Sequence, residues 1–226
     1  MEIRHNKKKE EMRHDPVLDA VADVRSYVEN NRNIVLGAVG VLVAALVVVQ
    51  VVLFVNKQNQ AKAADLLGKA ELMYLQDPGS ARTTEALSQV SARYSGTVHA
   101  VYSEFLIANE AYRKGQFDLA LTHFEKAANG SGDAGFVRGE AVEGIGKCHE
   151  GKGDYEGAAT YYNKVLADKS MAYRHPEILW RMALINQKLS RNDKATEFCA
   201  KILADTAAFA YRQKAASLSA EIAAAH

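Results

Sequence analysis

Between Gly144 and Asp154 the chain reads GIGKCHEGKGD, gathering two lysines, a thiol, an imidazole and two carboxylates into eleven residues. Such a set invites two chemistries. A phosphate-cradling loop needs a Gly five residues before the Gly of a Gly-Lys pair and a hydroxyl directly after the lysine, because backbone N–H groups hold the phosphate and the hydroxyl takes the metal ion. Counting back from Gly146 gives Ala141, and Cys148 follows Lys147. A zinc-protease helix opens with His-Glu, as His149 and Glu150 do, but needs a second His one turn on, where Gly153 stands. The seven histidines (His5, His14, His99, His123, His149, His175 and His226) are scattered without ligand spacing. No Ser-His-Asp set and no catalytic pair of carboxylates emerges. The chain is therefore read as a protein without metal or cofactor, and not as an enzyme.

The elements around this stretch explain it better. RKGQFDLALTHFEKA, from Arg113, returns 38 positions later as GKGDYEGAATYYNKV, from Gly151. A Lys-Gly turn, an aromatic two places on and a small Ala beyond it are what two antiparallel helices need: Gly takes the tight bend, the aromatic plugs the end of the pair, and Ala lets the helices touch. The pattern resembles the tetratricopeptide repeat, a helix-turn-helix unit of about 34 residues. In the first unit Ala108, Gly115, Phe117, Ala120, Phe124 and Ala127 take its positions; in the second, Gly146, Gly153, Tyr155, Ala158, Tyr162 and Val165. A step of 37 reaches a third copy with Ala183 and Ala195, in which Ser190 and Asn192 replace the Gly and the aromatic. Upstream, AADLLGKAELMYL and TTEALSQVSARYS read as a helix pair joined by QDPGSAR, and downstream AAFAYRQKAASLSAEIAA reads as a closing helix. The extra residues at the first junction, NGSGDAGF, form a Gly-rich loop whose Asn129-Gly130-Ser131 sequon is read as a chance turn.

In stacked pairs the first helices line a concave groove that holds peptides. The inward positions are Tyr102, Phe105, Asn109 and Tyr112 in the first unit, Glu140, Glu143 and Lys147 in the second, and Trp180, Arg181 and Lys188 in the third. Trp180, the only tryptophan, is either an anchor for a partner or packed under the closing helix near Phe209 and Tyr211. Glu140, Glu143 and Glu177 make the groove mixed in charge, which argues against a dedicated receptor for anionic tails. Cys148 and Cys199 are the only cysteines. They fall on a first helix and a second helix of successive units, and the sequence leaves open whether they pair.

Ahead of the repeats, the 22 residues from Ile34 to Val55 carry no charge, and sixteen of them are Val, Leu, Ile or Phe. As a helix this run is about 33 Å long, enough to cross a bilayer, and it is too long and too far from the start for a cleavable signal. Seven Lys or Arg precede it (Arg4, Lys7, Lys8, Lys9, Arg13, Arg25 and Arg32), and the next twenty residues hold three (Lys57, Lys62 and Lys69). That bias keeps the N-terminus in the cytoplasm and exports the rest. Within the tail Val17, Val21, Val24 and Val28 form one face of an amphipathic helix, which either lies on the inner membrane surface or against a partner, or is a solvated helix that leads into the span, its basic content being low for a lipid anchor. Gly37, Gly40 and Ala44 are read as lipid-facing.

The expected fold is all-α: a transmembrane helix followed by a tetratricopeptide-repeat-like solenoid of antiparallel helix pairs. Its parts are a cytoplasmic tail at 1–33, a span at 34–55 in contact with lipid, and a periplasmic repeat domain at 56–226. The layout, with ENNRN at the membrane entry, resembles the YfgM family of single-span tetratricopeptide proteins of the Gram-negative inner membrane. The resemblance implies a protein-binding ancillary of the Sec translocon whose partners are translocon subunits, periplasmic chaperones or client polypeptides, and no nucleic acid. The start MEIRHNKKKEEMRH departs from that pattern. Two other readings stay open: a scaffold of a cell-envelope or division assembly, and an organelle-surface receptor with cytosolic repeats.

Overall fold

The computed structural model describes residues 16–131 and 134–224; the expectations placed on Arg4, Lys7, Lys8, Lys9, Arg13, His5, His14 and His226 lie outside them. Two compact units divide the chain between Lys57 and Gln58. In the first, α1 (Pro16–Asn30) is the amphipathic helix, with Val17, Val21 and Val24 well exposed. The helix α2 (Arg32–Gln76) contains the whole uncharged run and continues without a break through AADLLGKAELMYL. Its most apolar window has a mean hydropathy of 3.0 and none of it is covered by protein.

The second unit holds the end of α2 and eight further helices among the described residues: α3 (Ala81–Arg93), α4 (Val98–Arg113), α5 (Phe117–Asn129), α6 (Gly135–Gly151), α7 (Tyr155–Ala167), α8 (His175–Lys188), α9 (Asn192–Ala204) and α10 (Phe209–Ala224). No strand occurs among the described residues. Three helix starts are set by short side chains that accept an orphan N–H: Ser80 from Thr83, Thr97 from Ala100, and Asp154 from Gly157. The bends that close the three repeat pairs share one bonding pattern. Gly115 N donates to Tyr112 O and Gln116 N to Ala111 O; Gly153 N donates to Glu150 O and Asp154 N to His149 O; Ser190 N donates to Gln187 O and Arg191 N to Asn186 O. This is a Schellman turn, whose central residue needs a positive φ. The values are 70° at Gly115, 79° at Gly153 and 55° at Ser190, so the third copy keeps the backbone of the signature after losing its glycine.

Packing follows the register of the repeats. Ala108, Ala120, Phe124, Ala127, Ala158, Tyr162, Val165, Ala183 and Ala195 are all buried, and the small ones let neighbouring helices approach. At Gly144 the ring of Phe124 lies where a Cβ would be, and at Gly146 the ring of Tyr162 does. The core is a row of clusters shared between neighbours. Leu67, Ala70, Leu87 and Val90 join α2 and α3 to Leu106 and Ile107 of α4. Phe124 and Ala127 sit between α4 and Ile145 of α6, while Tyr162 and Val165 meet Met171 and Ile178. Ala183, Ala195 and Ile202 are covered by Leu218 and Ile222 of α10. Each ring or aliphatic chain so buried contributes roughly 1.5 to 3 kcal/mol.

On the outside, each bend reaches back to the unit before it. Lys114 donates to the Gly79 carbonyl at 2.9 Å, Lys152 meets Asp118 at 2.5 Å, and Arg191 forks onto Glu156. These exposed contacts fix register more than they add stability. The junction before α8 is not a plain loop: Lys169–Arg174 forms a 3-10 turn started by Asp168, which accepts from Ser170 N at 2.8 Å.

Candidate functional site

Tyr102, Phe105, Asn109 and Tyr112 recur along α4 and are all half-buried. Tyr102 and Phe105 stack at 6.4 Å, Phe105 tilts against Phe124 at 6.0 Å, and Tyr112 against Phe117 at 5.6 Å. One edge of each ring is therefore committed to the core, and the other faces solvent. The row offers a partly apolar surface held rigid from beneath.

The next two first-helices meet through charge. On α6 the residues Glu140, Glu143, Lys147 and Glu150 share a face by their spacing, and Arg174, Glu177 and Arg181 do so across the start of α8. Arg174 grips Glu143 with both ends of its guanidinium, its Nε at 2.6 Å from Glu143 Oε2, and holds Glu177 at 2.8 Å. Lys147 reaches the same Glu143 at 2.5 Å. Arg181 joins Glu150 at 3.0 Å to Glu177, also at 3.0 Å, and Glu150 accepts the Tyr162 hydroxyl at 2.6 Å. Glu143 has no exposed surface. Burial pushes its carboxyl up, but the bonds from Arg174 and Lys147 outweigh burial and hold it below its ordinary value. The Arg174 guanidinium is raised in turn by its bond to Glu143. This ladder presents alternating charge and neutralises most of it internally.

Trp180 packs under the closing helix and keeps one face on a cleft. It packs against the cluster of Ala183, Cys199, Ile202 and Leu218, with Tyr211 also on that cluster, whereas Phe209 is 85% exposed. Its remaining face lines a cleft of about 430 Å³ with Leu184 and Gln187 of α8 and Gln213, Lys214, Ser217, Leu218 and Glu221 of α10. Lys188 lies 5.8 Å over the Tyr155 ring, at the bend rather than beside Trp180. The structure thus joins Glu143, Lys147 and Arg181 in one network and Tyr102 with Phe105 in one stack. Arg174 and Glu150 were not among the sequence candidates. Each lies 31 residues from its partner, Arg174 from Glu143 and Glu150 from Arg181.

The chemistry-bearing stretch GIGKCHEG is helical, the end of α6, so it makes no phosphate loop. His149 bonds Asp154 at 2.7 Å and stacks on Tyr161 at 5.3 Å, which fastens the bend. No cluster of three metal-ligating side chains occurs among the described residues. Cys148 and Cys199 are free and buried in different clusters, and burial pushes the Cys148 thiol up to about 12.

The described fold has counterparts. Aspartyl phosphate phosphatase F from Bacillus subtilis superposes with a TM-score of 0.52 at 22% identity, over 73% of this chain and 44% of that one. The chain thus spans less than half of that protein, and the likeness concerns the fold alone. The nearly identical TPR-like repeats of a Podosopora anserina protein named for the kinesin light chain give a TM-score of 0.49 at 17% identity, over 73% of this chain and 95% of that one. No curated protein matches the chain. A tetratricopeptide repeat matches residues 140–167, the second unit, and the tetratricopeptide repeat-like domain matches residues 25–138, half of the chain. With its bends, small-residue contacts and helix pairs in that register, the chain belongs to the tetratricopeptide repeat-like domain family.

Proposed function

We propose that this protein is a membrane-anchored interaction protein of the bacterial inner membrane, with its repeats in the periplasm, which serves the Sec translocon by linking exported chains to periplasmic chaperones. The observation that carries the reading is the pairing, in one chain, of an uncovered apolar stretch of helix with a stack of protein-binding repeats. The domain match begins at residue 25 and takes in the apolar run, which supports reading anchor and repeats as one arrangement. The repeats hold other proteins; the half-exposed Tyr102 and Phe105 and the cleft at Trp180 are the surfaces on which they do so. The charge ladder between α6 and α8 leaves little net charge for gripping a charged tail, and favours partners with apolar contacts.

The mixed charge of that ladder also suits a scaffold that holds folded components of a cell-envelope or division assembly. The two readings part in one experiment. Mild in-cell crosslinking of the full-length chain, purification from membranes and mass spectrometry of the partners should recover translocon subunits together with periplasmic chaperones. Recovery of wall-synthesis or division proteins in their place rejects the export reading. Repeating the capture with Trp180→Ala assigns the cleft: unchanged partners with lowered thermal stability would leave Trp180 a packing residue only.

A further inference from the structure

We propose that α1 packs against the α1 of a second copy of this chain as a parallel coiled coil. Val17, Val21, Val24 and Val28 follow one another at steps of four, three and four, and Asn31 and Val35 continue at three and four. The backbone keeps that register across the junction of α1 and α2, because Asn31 N donates to Tyr27 O at 3.0 Å and Val35 N to Asn31 O at 3.0 Å. A repeat of 3.5 residues is the period of helices that wind around each other. Val21 and Val24 expose 60% and 64% of their surface.

Charge selects the occupant. With the valines on the seam, Asp19, Asp23 and Glu29 all fall on the three outer positions of the heptad, and the flanking positions hold Leu18, Ala20, Arg25 and Tyr27. Two copies therefore come together without opposing acids, and Arg25 is already held by Glu29 at 2.8 Å on its own helix. An anionic lipid surface is the poorer match, since the three acids of α1 repel it and outnumber its one arginine. Asn31 is the lone polar residue among these six seam positions, and a polar side chain at one level of a seam is best met by its own counterpart, which holds the copies in one register. The parallel sense rests on the anchor reading, because two chains crossing one membrane in the same direction present their α1 helices side by side.

The test is a cysteine scan of α1 in full-length protein in native membranes, oxidised with copper phenanthroline and resolved without reductant. The wild-type chain, whose two thiols are buried, sets the background. Val21→Cys, Val24→Cys and Val28→Cys should each give at least about threefold more disulfide-linked dimer than Asp23→Cys, Ser26→Cys and Glu29→Cys, because alternate faces of one helix are compared. Equal yields at all six positions, or no dimer at any, overturn the pairing. An alkaline wash of the same membranes separates the two readings. Chains that wash out yet crosslink along the valine stripe overturn the anchor and keep the pair, and chains that stay with a flat scan overturn the pair and keep the anchor.

Discussion

At Gly144 an added methyl group would sit 2.5 Å from the Phe124 ring, which is buried and has no room to turn. Gly144→Ala should therefore cost about 2 kcal/mol, in the range of overpacked cores. The same substitution at Gly68 meets nothing within 4 Å and sits inside α2, so there it should stabilise the helix by about 1 kcal/mol. Denaturant midpoints of the two variants should move in opposite directions; movement in the same direction would contradict the packing described. Ser190 offers the complementary case. It holds the positive φ that Gly115 and Gly153 hold in the other bends, a conformation unfavourable for a side chain. Ser190→Gly should raise stability by about 0.5 kcal/mol, the relief of strain exceeding the greater freedom of glycine in the unfolded chain. A lower melting temperature for that variant would show that the Ser190 side chain contributes more than its backbone costs.

At the level of helices, the junction between α6 and α8 depends on Glu143. Glu143→Gln leaves Arg174 partly unpaired beside Glu140 and Glu177, and should cost about 3 kcal/mol at neutral pH. The pH dependence has a definite sign. The folded carboxyls of Glu143 and Glu104 lie below their ordinary value of 4.5, so the stability they confer is complete above that value and is lost as the pH falls through the folded values. Urea unfolding from neutral to acid pH should show a shallower acid decline for Glu143→Gln than for the wild type. A parallel decline would place the acid sensitivity elsewhere. This network also marks the limit of what the sequence made legible. The bends and the small-to-large contacts could be read because they are local demands of a helix pair, met by Gly115, Ala120 and Phe124 within one unit. Arg174 escaped because it stands at the end of a 3-10 turn that the repeat spacing registers only as extra residues, and its partner Glu143 lies 31 positions back. Glu143 was placed in the groove by its inward register; its burial is set by Arg174 and Lys147 closing over it, which periodicity does not encode.

For the whole molecule, a stack of helix pairs must end on something that covers its last apolar face. Here α10 does so with Leu218 and Ile222 over Ala195, Cys199 and Ile202. A chain ending at Ala204 should lose about 4 kcal/mol, roughly 2 for each of the two large side chains, and should bind an apolar dye that the full chain excludes. Unchanged stability would make α10 an appendage rather than a cap. Along the stack the weak exposed links between bends, such as Lys152 with Asp118, leave cooperation to the shared clusters. Met171 is where one of those clusters holds a junction in place: it is fully buried, its sulfur fills the space above Gly139, and it lies in the same cluster as Tyr162 and Ile178. Its thioether is thus reachable by peroxide only while the 3-10 turn is lifted away, so the rate of its conversion to the sulfoxide measures how often this junction opens. Once oxidised, the polar sulfur no longer fits against Gly139, and a transient opening becomes a lasting one.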